Sequence, residues 1–168
     1  WEISGSTTEC VSSIVTDGKR VFTSGGYPRN HVSAISADGS GKVVWENISR
    51  VYVPSMIVKD GYLYAVMDNG NAMCWNSETG KNMWKERLNR TTSASPVMVG
   101  ERIYAVDENG NFSVFSADPN KFKVIAKNKL GDQVFATPVI CDSKIFARVA
   151  ENVGDVRQEI LYCIGKKE

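Results

Sequence analysis

The chain has 168 residues, 42% of them hydrophobic and 23% charged, with 20 Lys+Arg against 19 Asp+Glu. Such a composition builds a buried core and excludes a disordered chain, and the balanced, interspersed charge leaves no field to recruit nucleic acid or an anionic membrane surface. No apolar run approaches the roughly 18 to 20 residues that a membrane-crossing helix needs.

In chain order, the first residues set an expectation about the ends. The sequence opens at Trp1 rather than Met and shows no signal-peptide pattern, which reads as a processed protein or an excised piece of a longer one. Trp1-Glu2 repeats Trp45-Glu46, so residues 1–5 read as the last strand, D, of a repeat. Four copies of one pattern follow: "SSIVTDGKRVF" from Ser12, "SMIVKDGYLY" from Ser55, "SPVMVGERIY" from Ser95 and "TPVICDSKIF" from Thr137. Each has a small residue, an apolar run, a polar turn and an aromatic close. The closing aromatics Phe22, Tyr64, Tyr104 and Phe146 recur 42, 40 and 42 residues apart. After the second and third copies, "DNGNAMCW" and "ENGNFSVF" place Asn-Gly between apolar runs, the preferred dipeptide of a type I′ hairpin. The first and fourth copies carry longer stretches there, "SGGYPRN" and "AENVGDVRQ", which read as loops.

Each repeat thus supplies strand A (56–59 in the second), B (62–67), C (72–76) and D, the last following Gly-Lys in "KVVWEN" and "KNMWKERL". These segments are rich in Val, Ile, Tyr and Phe, are bounded by Gly, Asp, Asn and Ser, and are too short for helices. Four antiparallel strands in a unit of about 41 residues make the blade of a β-propeller. The expected fold is therefore all-β, with four repeats of four strands in a single domain over 1–168: strand D 1–5, blades 12–48, 53–88 and 93–130, and an incomplete blade 134–165 that ends after strand C. Three arrangements satisfy that count: a ring of four closed within the chain, two chains sharing an eight-bladed ring, or an arc of a seven- or eight-bladed propeller. We favour the arc, with a second copy as one way of completing it, because open sheets leave pairing edges that natural proteins avoid.

Gly80 and Gly41 close the C-to-D turns, and Trp84 and Trp45 stand four residues beyond each. Indoles fixed relative to a turn can cover the neighbouring blade, so Trp1, Trp45 and Trp84 are expected docking residues. In the third repeat, "FSADPNKFKVI" puts Lys121 in place of Gly and Ile125 where Trp is expected.

The motif Ala-x-Asp-x-x-Thr-Gly-Lys-x-x-Trp, matched closely by "CWNSETGKNMW", resembles the tryptophan-docking repeat of PQQ-like quinoprotein β-propellers. The resemblance runs from Trp1 to about Gly165. Its members include pyrroloquinoline-quinone dehydrogenases, a lipoprotein of outer-membrane barrel assembly, and many bacterial proteins of unassigned role, some from planctomycetes; the chain is most similar to the last group. The enzymes hold PQQ on a tryptophan floor beside a calcium ion bound by acidic and amide side chains, with an aspartate base and in many cases adjacent cysteines. None of these residues carries over to this chain, so the resemblance implies a fold without a cofactor, and PQQ and calcium belong only to the alternative in which the active site lies in other blades. It also implies a periplasmic or cell-surface location.

The remaining motifs read as structure. "GSGK" at 39–42 lacks the upstream Gly and the following Ser/Thr of a phosphate loop, "DNGN" lacks the late Glu of a calcium loop, and His31 reads as a solvated loop residue. Cys10, Cys74, Cys141 and Cys163 lack zinc spacing and read as free, buried thiols. What is left is the rim, where the D-to-A loops gather Arg50, Arg90 and Asp132 beside Tyr52 and Glu9. A mixed aromatic and charged rim suits a protein or peptide partner. The expected function is a non-catalytic interaction or ligand-binding scaffold; alternatively, the chain is part of a PQQ-dependent dehydrogenase or another propeller enzyme.

Overall fold

The computed structural model describes residues 2–5 and 7–166, in which fifteen strands form four antiparallel sheets and no helix occurs. The first sheet contains β1 (Val15–Thr16), β2 (Arg20–Gly25), β3 (His31–Ser36) and β4 (Val43–Asn47); the second, β5 (Ile57–Lys59), β6 (Tyr62–Val66), β7 (Asn71–Asn76) and β8 (Asn82–Arg87). The third contains β9 (Val97–Val99), β10 (Arg102–Val106), β11 (Asn111–Ser116) and β12 (Val124–Lys129), and the fourth β13 (Val139–Cys141), β14 (Lys144–Val153) and β15 (Val156–Ile164). Strand order within each sheet follows the sequence, so every sheet is a meander. The central strands β6 and β7 are buried on both faces because the second sheet is packed between the first and the third.

Three apolar layers hold the sheets in a row. Phe22, Val32 and Ala34 of the first sheet meet Met56, Leu63, Met73 and Trp75 of the second. Tyr64, Cys74 and Trp84 of the second meet Ile103, Phe115 and Phe122 of the third. Val106, Phe112 and Leu130 of the third meet Val134, Ala147, Val149, Ile160 and Tyr162 of the fourth. At about 25 cal/mol per Å², burying side chains of this size is the main force that orders the row.

Three expectations need correction. The stretch 150–158 is no loop: β14 and β15 run on as one hairpin to Val153↔Val156, closed by Gly154 at φ 63°. Its polar residues are exposed on a hairpin that extends beyond the apolar layer. At the Asn-Gly turns, only Gly70 and Gly110 have positive φ, and Gly70 N–H donates to Met67 O. This is a type I turn followed by a left-handed glycine, not type I′. Finally, of the free cysteines only Cys74 is buried, while Cys10, Cys141 and Cys163 are exposed. Residues 2–5 take no strand pairing, and Trp1 lies outside the described residues.

Candidate functional site

The sheets are joined at three levels. On the side of the C-to-D turns, the Trp45 indole N–H donates to Ser77 O and the Trp84 indole N–H to Asp118 O, both at 2.9 Å, so each indole docks on the following sheet. Gly41 and Gly80 both adopt left-handed backbone, at φ 68° and 70°. Gly80 has a second reason to be glycine, since a methyl group there would come within 2.7 Å of the Trp45 ring. In the third sheet the register corrects the sequence alignment. Trp45 pairs with Ala34 and Trp84 with Cys74, but the residue paired with the equivalent Val114 is Ala126. Ile125 is 46% exposed and substitutes for no indole. The pairing irregularity next to this position is common to all three sheets; what differs is the turn before it, closed by Ser116 N–H on Lys123 O in the third sheet against Asn76 N–H on Lys81 O in the second.

Along the innermost strands runs a ladder that the sequence reading missed. Ser13 N–H donates to Ser55 Oγ at 2.9 Å, Ser55 N–H to Ser95 Oγ at 2.9 Å, and Ser95 N–H to Thr137 Oγ1 at 3.0 Å. Each repeat thus caps the amide of the one before. The signal was present as the small residue that opens each copy.

At the opposite end from the docked indoles, the D-to-A loops meet the B-to-C turns. Asp68 accepts the backbone N–H groups of Tyr52 and Val53, and Asp107, 1% exposed, accepts those of Arg90, Asn109 and Asn111. Both carboxylates are thereby used as structural caps. Glu9, Tyr52 and Arg50 come together: the Tyr52 hydroxyl donates to the Glu9 carboxylate, and the Arg50 guanidinium carbon lies 5.8 Å from the Tyr52 ring centroid. The carboxylate beside the phenol, together with partial burial, raises the Tyr52 pKa, since ionisation would place two negative charges in contact. Arg90 lies one joint away, in an open depression of about 480 Å³ lined also by Asn89, Lys127 and Lys129. Asp132 accepts the Asn152 N–H at 2.8 Å and steadies the long hairpin.

His31 is not a solvated loop residue. It begins β3, is 7% exposed, and its Nδ1 is buried without a partner. Burial, aided by the nearby Arg29 and opposed by Glu46, lowers its pKa. Burial also pushes the Cys74 thiol up to about 12, which makes it inert at neutral pH.

The residues do not fit a quinone and calcium site. Trp45 and Trp84 have their N–H groups and faces committed to the joints, Trp75 is 2% exposed within the first apolar layer, and the described residues contain no group of three or more His, Cys, Asp or Glu placed for a metal. The arrangement can hold blades in a row and present a rim.

Meandering sheets stacked through docked indoles define the chain as an arc of β-propeller blades. The family model described as outer membrane protein assembly factor BamB matches residues 28–121, more than half the chain, and the chain belongs to this family of PQQ-like propeller repeats. No curated protein matches the sequence. Among solved structures, a europium-containing methanol dehydrogenase superposes with TM-score 0.62 at 16% identity, over 77% of this chain and 27% of its own. A quinohemoprotein alcohol dehydrogenase, ADHIIG from Pseudomonas putida HK5, gives 0.69 at 14%, over 86% and 29%. The computationally designed Ika4 protein gives 0.69 at 11%, over 95% of this chain and 94% of its own. At these identities the likeness shows the fold alone. The chain spans less than a third of either dehydrogenase.

Proposed function

We propose that the chain is a non-catalytic propeller scaffold whose rim binds an acidic segment of a protein partner, in a periplasmic or cell-surface protein. The observation that carries this reading is the rim itself: Arg50 stacked on Tyr52, and beyond it the depression holding Arg90, Lys127 and Lys129. Asp107 adds no open acceptor there, being satisfied by amides. Arginine and tyrosine are the residue types that most often anchor interfaces. The test is fluorescence anisotropy with a labelled Glu- and Tyr-rich peptide. Saturable binding weakened at least tenfold by the double substitution Arg50→Ala and Arg90→Ala supports the reading. Absence of binding, or saturable binding of PQQ with calcium to the isolated chain, overturns it.

A second reading concerns the flanks, where a second copy completes the ring. Val139 and Leu161, 57% and 71% exposed, lie on the face of the fourth sheet that corresponds to the face on which the first sheet carries Val15 and Val32 against the second. Ile14, 67% exposed, occupies on the first sheet the place that buried Met56 holds in the second. Light scattering at twice 18.5 kDa, reduced to the single mass by Leu161→Glu and also by Ile14→Glu, supports this reading; a monomer at every concentration ends it.

A further inference from the structure

At one register position the three joints are filled differently. Opposite Ala65 stands Met73 and opposite Ala147 stands Tyr162, both packed in the apolar layers, but opposite Ala105 stands Ser113, 1% exposed. The Ser113 hydroxyl donates to Asn89 Oδ1 at 2.6 Å, which ties the D-to-A loop of the second sheet to β11. Asn89 is 8% exposed, and its Nδ2 is left buried without an acceptor. Ser113 pairs with Lys127 and Asn111 with Lys129 across β11 and β12, so these four side chains share the face that Phe115 turns to the second sheet. The Lys127 ammonium donates to Leu88 O at 3.2 Å, beside Asn89.

Asn89, Arg90, Asp107, Asn111, Lys127 and Lys129 wall the depression of about 480 Å³. Arg90, Lys127 and Lys129 form no ion pair among the described residues. The one carboxylate in the wall, Asp107, is occupied by the N–H groups of Arg90, Asn109 and Asn111 and by the Asn111 side-chain amide. Three cations against one carboxylate leave two positive charges in excess. A polar pair buried where the other joints hold apolar side chains, with a donor unfilled, is costly until an acceptor arrives. We propose that the depression receives two adjacent acidic side chains of the partner's segment, one carboxylate between the Asn89 carboxamide and the Lys127 ammonium and the other on the Arg90 guanidinium; this rests on the rim as the binding face. Two carboxylates neutralise the excess charge. Their oxygens only accept, as the amide, ammonium and guanidinium donors require.

The experiment titrates the whole chain with the peptide acetyl-Gly-Glu-Glu-Gly-amide, its Gln-Gln counterpart, glutarate and inorganic phosphate, followed by side-chain and backbone amide NMR shifts. The expected result is a saturable shift of the Asn89 side-chain amide with the Glu-Glu peptide, and at least tenfold weaker binding of the Gln-Gln peptide. Lys127→Gln, at an exposed position, weakens binding at least tenfold with the fold intact, and Ser113→Met, which installs the filler of the first joint, does the same. Undiminished binding in both variants overturns the proposal. Silence of the Glu-Glu peptide while the Glu- and Tyr-rich peptide still binds overturns this site alone, whereas silence of both peptides overturns the rim reading with it. Glutarate binding as tightly as the peptide assigns the depression to free dicarboxylic acids and overturns the polypeptide guest; phosphate binding as tightly overturns the choice of carboxylate.

Discussion

The first and second joints are built on the same motif, yet their indoles sit differently. Trp45 is half-buried, 6.0 Å from Phe22 between ring centroids, and lies over the bare backbone of Gly80. Trp84 is 9% exposed and is surrounded by Tyr64, Phe115 and Phe122 at 6.1, 6.3 and 5.2 Å. What differs is the turn of the following sheet. Where the second sheet offers glycine, the third offers Phe122, two residues after the prolonged Asp118-Pro119-Asn120 bend. The loss of Gly-Lys in the third repeat is thus an exchange: a flat backbone platform is replaced by an aromatic ring that covers the indole more completely.

The largest expected effect follows at the better-covered joint. Trp84→Ala removes a buried indole from an aromatic cluster and should cost about 3–5 kcal/mol in urea unfolding. Trp45→Ala, from a half-buried site, should cost about 2–3 kcal/mol by the same measurement; equal losses for the two would erase the distinction drawn here. Gly80→Ala should cost roughly 1–3 kcal/mol, because the left-handed backbone disfavours a side chain and the new methyl meets the Trp45 ring. Gly41→Ala, at a similar φ, serves as its companion: a larger loss at Gly80 isolates the part due to the indole. The smallest effect is expected at the third joint, where Ile125→Ala should stay within about 0.5 kcal/mol, since Ile125 is already 46% exposed. A loss comparable to that of Trp45→Ala would mean that Ile125 does replace the indole.

The strands of the first three sheets were readable because alternating apolar residues and Gly-marked turns recur at a constant interval, and the same interval singled out Trp45 and Trp84. The assignment of Ile125 failed because the C-to-D turn of the third sheet is longer, with Ser116 N–H bonded to Lys123 O where Asn76 N–H is bonded to Lys81 O in the second, so that counting across it lands one residue short of the joint position. The long hairpin of β14 and β15 was hidden for another reason. Its outer half, from Glu151 to Gln158, is mostly polar and exposed and meets Asp132 and Gln133 only through hydrogen bonds, so no apolar alternation marks it as strand. His31 lies in β3 opposite Gly25, over which Thr7 and Cys10 also gather, a tertiary fact with no local signature. At the rim, sequence spacing brought Glu9, Arg50 and Tyr52 to one place, but it gave no sign that Asp107 would be sealed by amides or that Arg90 would share a depression with Lys127 and Lys129.

The hydroxyl ladder from Ser13 to Thr137 gives the row a direction, because each unit gives an amide hydrogen forward and receives one from behind. The hydroxyl contacts are alike at every step, so adding or deleting one entire unit recreates the same inner contact on both sides, whatever the outer joint carries. A cut inside a unit would leave mismatched halves. Genes encoding such chains are therefore free to lengthen or shorten by whole periods, and this inner line of serine and threonine is the grammar that such edits must respect.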